Sequence, residues 1–233
     1  MTSATPTGPR RTDLRPTDTV VLINGPCIRA LAWQDWVPRY SARGYCVIAS
    51  GAPVEARSDT CDDWYTDSRG RAAAVAVTDY YERMLRTFPS PPILIGHCFG
   101  GVVVQLLLQR GLGAAGVAIS IPPAPGRKRP RHANRSTSAA AAVEPFVDYE
   151  SHRRAPVLLV GGGQDYHVPS HLVAMATLKY LESDAVTGYL EYPNARHDAL
   201  RGPEWEHIAD DVLDWAELYT VPGAAVRADG RQN

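Results

Sequence analysis

The stretch ILIGHCFGG, residues 93–101, decides the reading of this chain. Three apolar residues enter a Gly-His-Cys-Phe-Gly turn, and the apolar run VVVQLLLQ (102–109) follows it. An apolar run of that length, a glycine-flanked turn and a longer apolar run predict a buried strand, a sharp bend and a helix. The spacing is that of a nucleophile elbow, G-x-S-x-G, with Cys98 in the serine position. Gly96 and Gly100 suit a bend too tight for side chains. The bend lifts its apex residue above the sheet at a helix N-terminus, where the potential favours an anion. The competing reading of Cys98 is a small buried hydrophobe.

Outward from that stretch, short apolar runs alternate with helical patterns. The runs are 19–24, 45–50, 92–96, 116–121, 156–161 and 187–192, bounded by Gly, Pro or Asn and rich in β-branched residues. They predict buried parallel strands. Helices are predicted near 32–43, 71–88, 99–111, 170–182 and 203–219. In the last, Trp205, Ile208, Val212 and Trp215 form an apolar stripe at spacings of three and four. The alternation predicts an α/β fold: a doubly wound, mostly parallel sheet of about six strands with helices on both faces. Ligands in such sheets bind beyond the carboxyl ends of the strands.

The 233 residues, 45% hydrophobic and 21% charged, suit one domain with a sizeable core. Residues 18–220 are expected to form it, between disordered segments at 1–17 and 221–233. The connection 124–154 shows no sustained periodicity and is expected to be a short lid or loop. A net charge of −1 carries no signature of nucleic-acid binding. No apolar run is long enough to span a bilayer, and the N-terminus has no signal-like apolar core. Cys27, Cys46, Cys61 and Cys98 lack metal-site spacing, so neither a metal nor another cofactor is expected. A cytoplasmic monomer or homodimer with free thiols is the default.

A nucleophile of this kind needs a base, and the base needs an orienting acid. Asp165, in the glycine-rich run after the fifth strand, and His197, after the sixth, follow Cys98 in the order acid then base. All three fall on the same sheet edge. The plain alternatives are a turn-forming aspartate and a solvated loop histidine. His97 is expected beneath the elbow, and His167 and His171 flank the Asp165 loop.

These residues resemble the α/β-hydrolase superfamily across roughly residues 19–219. The resemblance rests on VVLINGP, YCVIASGAP, ILIGHCFGG, the G-G-x-D-x-x-V-P run at 162–169 and the H-x-x-L-x-G-P-x-W run at 197–205. It is nearest to esterase-like bacterial members. The resemblance implies Cys98 as nucleophile, His197 as base and Asp165 as orienting acid. It also implies an oxyanion hole supplied by the N–H of Phe99 and, since Pro26 has no N–H to give, by Cys27 or Asn24. Asn24, Pro26, Trp64 and Tyr166 are candidate substrate contacts, with Phe99, Trp33, Trp36 and Tyr65 as further aromatic candidates. Trp33 and Trp36 are expected to pack against the sheet instead.

The implied activity is an acyl hydrolase acting on an ester, lactone or thioester through a Cys98 acyl-enzyme. Alternatives are an acyltransferase or cyclase of a biosynthetic pathway using the same intermediate, and a non-covalent enzyme or binding protein on this scaffold. The expected partner is a small-molecule acyl substrate, free or tethered to a carrier protein. The basic run RKRPRHANR (127–135) bears on the tethered case.

Overall fold

The computed structural model describes residues 17–24, 30–51, 68–124 and 146–220. The strands are β1 (Thr19–Ile23), β2 (Cys46–Ser50), β3 (Ile93–His97), β4 (Ala115–Ile119), β5 (Val157–Gly162) and β6 (Thr187–Tyr192). They form one sheet in the order β2-β1-β3-β4-β5-β6, every pair parallel. The helices are α1 (Trp36–Ala42), α2 (Ser68–Leu85), α3 (Phe99–Gln109), α4 (Ser170–Leu178) and α5 (Trp205–Thr220).

Both sheet faces are covered, which is why the strands read as continuous apolar runs rather than alternating ones. Along β1, Val21 and Ile23 join the core beneath α2, α3 and α4, while Val20 and Leu22 join the core beneath α1 and α5. β3 alternates likewise: Leu94 faces the first core, and Ile93 and Ile95 face the second. The chain reverses its winding between β2 and β3, placing β3 and the elbow in the middle of the sheet.

One expectation changes. The first predicted helix is two pieces, a 3-10 turn at Ala30–Trp33 and then α1. Trp33 and Trp36 both pack inward as expected, fully buried and edge-to-face at 5.0 Å. The indole N–H of Trp36 donates to the Leu200 carbonyl at 2.9 Å, tying the break to the loop before α5. The connection 124–154 is described at its ends. Its residues 125–145, including the basic run, lie outside the described residues, but both ends are packed. Ala124, Val147 and Tyr149 are buried.

Arg154 fixes the far end of that connection. It is 5% exposed and has no carboxylate partner among its bonds. Its guanidinium donates to the carbonyls of Ala155, Ala185 and Val186 and to the Thr187 hydroxyl, and it stacks 4.3 Å from the Tyr180 ring. Burial lowers its pKa from the ordinary value. A fork of donors that satisfies strand-end carbonyls suits arginine and not lysine.

Candidate active site

The elbow is built by close packing. A Cβ on Gly96 would run into the Gly100 carbonyl, and one on Gly100 into the Ile23 carbonyl. With both glycines in place, α3 starts hard against the ends of β1 and β3. Cys98 lies between β3 and α3 with φ 54° and ψ −124°, backbone that L-residues avoid. The bend is held from both sides: the Cys98 N–H donates to the Ile119 carbonyl at 2.8 Å, and Gly101 N–H to the Cys98 carbonyl at 3.0 Å. The side chain of Cys98 is 2% exposed and forms no disulfide.

Asp165 follows β5 in a turn closed by its own carboxylate. Oδ1 accepts the N–H groups of His167 at 2.9 Å and Val168 at 2.8 Å. Oδ2 is thereby aimed at His197, which donates Nδ1–H to it at 2.9 Å. The Cys98 thiol is close enough to the His197 ring to act on its charge. His197 thus bonds Asp165 directly and lies in the electrostatic neighbourhood of Cys98.

Electrostatics follow the contacts. Burial disfavours charge on His197, but the Asp165 bond and the neighbouring Cys98 outweigh it and push its pKa up to about 10. Burial likewise opposes the Asp165 anion, yet the His197 bond and the Val168 N–H hold its pKa below the usual carboxylate value. Ser120 contributes to that lowering. It is fully buried, with φ 50°, and its hydroxyl faces the carboxylate without a well-formed hydrogen bond. The sequence reading missed Ser120. The available signal was a lone polar residue closing the apolar run of β4 at the carboxyl edge.

His97 does pack beneath the elbow, 1% exposed. Its Nε2 lies 2.7 Å from the backbone carbonyl of His197. A carbonyl only accepts, so Nε2 carries the proton, and Nδ1 is left buried without a partner. Burial, then the charge on His197, lower its pKa to about 3. His97 is thus neutral when folded and takes a proton when unfolded. Stability is expected to fall as pH drops from about 6.5 toward 3, by at most about 1.4 kcal/mol per pH unit from this group. Urea unfolding at stepped pH, wild type beside His97→Gln, measures this; equal slopes in the two proteins would exclude it.

The other candidates separate. Tyr166 is 89% exposed at the rim of a cavity of about 470 Å³, which is also lined by His97, Gln164, His167 and His197. His171 is exposed at the start of α4 and is not among the residues lining that cavity. The side chain of Phe99 is fully buried in the core, correcting its place among the cleft aromatics and leaving only its backbone for the site. Asn24 is 1% exposed at the carboxyl end of β1, with both amide atoms unpartnered. Pro26, Cys27, Trp64 and Tyr65 lie outside the described residues. Among those described, no group of three or more His, Cys, Asp or Glu is arranged to hold a metal, and no helix is long and apolar enough to cross a membrane.

No family model and no curated protein matches the sequence. Solved structures do. A pyrethroid hydrolase from Sphingobium faniae is 17% identical, with 86% of this chain covering 98% of that one at a TM-score of 0.58. A monoacylglycerol lipase from Paleococcus ferrophilus is 18% identical, covering 86% and 94% of the two chains at 0.60. Polyneuridine aldehyde esterase is 13% identical, covering 86% and 99% at 0.56. Six parallel strands in this order, a sharp elbow at the end of β3 and these neighbours establish that the chain has the α/β-hydrolase fold.

Proposed function

We propose that the chain is an acyl hydrolase that works through a covalent intermediate on Cys98. The observation that carries the reading is His197, held by Asp165 at 2.9 Å and acted on electrostatically by Cys98 at the elbow. Solved structures of this fold that carry the names hydrolase, lipase and esterase support an ester as the substrate class.

The sulfur, as thiolate, attacks the acyl carbon of an ester, lactone or thioester. The carbonyl π bond opens onto oxygen, and the bond to the leaving group then breaks. His197, protonated, gives its Nε2 proton to the departing alkoxide or thiolate. Water, deprotonated by His197, hydrolyses the resulting thioester and regenerates Cys98. The developing oxyanion is stabilised by the N–H of Phe99, which as the first residue of α3 points back toward the helix start. Cys27 is the candidate second donor, because Pro26 has none.

A second reading shares the intermediate but resolves it with a hydroxyl, amine or carbanion. The cysteine itself favours it, since a thioester resists water more than it resists those nucleophiles. The decisive experiment treats the protein with p-nitrophenyl acetate, quenches in acid and digests it. The Cys98 peptide is expected to gain one acetyl group, with a burst of p-nitrophenol. An unmodified Cys98 alongside steady turnover would overturn both covalent readings and leave a non-covalent enzyme. Products formed with and without an added amine separate hydrolysis from transfer.

A further inference from the structure

The cavity beside the triad has a chemical character that the triad does not explain. Its lining includes the apolar side chains of Ala32 and Leu200 and the rings of His97 and His197. The same lining carries two guanidinium residues, Arg196 and Arg201, with Gln164, Tyr166 and His167. Asp198 is the one carboxylate among the described lining residues. It meets Arg196 only loosely, at 3.8 Å, with both side chains about two-thirds exposed. Arg201 has no carboxylate partner among the described residues.

The loop that presents both arginines is fixed. Ala195 N–H donates to Tyr192 at 3.1 Å, Gln164 N–H to Ala195 at 3.0 Å, and Arg201 and Gly202 N–H both to Asp198 at 2.9 Å. With Leu200 also bonded to Trp36, Arg196 and Arg201 leave a preformed turn on either side of His197. Tyr166 adds an independent observation: it is the most exposed of the large hydrophobic side chains and stands at the mouth of this cavity. An aromatic ring with nothing packed on it, apolar lining residues and surplus cations together describe a ligand with an apolar body and an anionic end.

We propose that this cavity binds a substrate or product carrying an anionic group, carboxylate or phosphate, on an apolar body, with Arg201 and Arg196 holding the anion and Tyr166 covering the body. The inference builds on the acyl-hydrolase reading, to which it adds a substrate class, but its test does not depend on Cys98 reacting. The full chain is titrated with benzoate, benzyl phosphate and benzamide, and backbone amide shifts are followed by NMR.

Benzoate or benzyl phosphate is expected to saturate, with shifts centred on residues 164–168 and 196–201. Benzamide should bind at least about tenfold more weakly, one charge-assisted contact being worth that much. The tighter of the two anions tells carboxylate from phosphate. Arg196→Gln/Arg201→Gln together should erase the preference for the anion, whereas Arg153→Gln, which removes one positive charge on the 146–154 segment away from the cavity lining, should keep it. Equal binding of benzamide, no binding by either anion, shifts elsewhere, or a preference that survives the double substitution would each overturn the proposal. Should the double variant fail to fold, the wild-type comparison of benzoate with benzamide decides alone. A positive titration with no acetyl adduct on Cys98 would sink the covalent mechanism and leave the anion site standing; the reverse result would do the opposite.

Discussion

Cys98→Ala is expected to lower kcat for an activated ester by at least about 10⁴-fold, to the level left by binding and oxyanion stabilisation alone. The size follows from the geometry. Without the sulfur nothing at the apex of the elbow can hold an acyl group, and His197 faces an empty methyl. The substitution removes one heavy atom from a 2%-exposed position whose backbone is fixed by bonds to Ile119 and Gly101. The elbow should therefore persist, and the melting temperature should stay within a few degrees of wild type. Steady-state kinetics with p-nitrophenyl acetate, read beside a thermal melt, checks both parts. A variant that keeps more than a few per cent of wild-type kcat would show that the sulfur is not the nucleophile.

Asp165→Asn is expected to cost kcat about as much, roughly 10⁴-fold, for a different reason. The asparagine carbonyl oxygen can still accept the N–H groups of His167 and Val168, so the turn after β5 survives. Its NH₂ group then meets Nδ1 of His197 as a donor. The ring must accept there and carry its proton on Nε2, where it can no longer take one from sulfur. The raised basicity of His197 is lost with the anion. The alkaline limit of ester turnover, set near pH 10 in the wild type by that imidazolium, should move down toward the ordinary histidine range. A pH profile of kcat/KM that keeps its alkaline limb in place would mean that Asp165 does not tune the base.

Much of this was legible in the sequence because burial on both faces of a parallel sheet leaves an unambiguous mark. Each predicted strand lies within about a residue or two of its counterpart, and each ends near a Gly, Asn, Ser or Pro that interrupts the apolar run. The pairing of Asp165 with His197 was legible by position, since strand ends on one edge bring together residues 32 apart in sequence. Ser120 was not, because its positive φ and its approach to Asp165 are properties of the β4 end that no spacing encodes. Arg154 was hidden for another reason. Its partners are carbonyls some thirty residues away, and a lone arginine in an irregular stretch reads as solvated. The break between the 3-10 turn and α1 depends on the bond from Trp36 to Leu200, which is a tertiary contact.

The bond from His97 to the His197 carbonyl has a mechanical meaning. His97 is the chain neighbour of Cys98, so Cys98 and His197 are joined by a bridge one residue wide. Sulfur and imidazole cannot drift apart without breaking that bridge in the dry interior. Breathing that admits or releases a ligand must then come from the outer walls, where Tyr166, Arg196 and Arg201 stand, while the segments carrying Cys98 and His197 move as one piece.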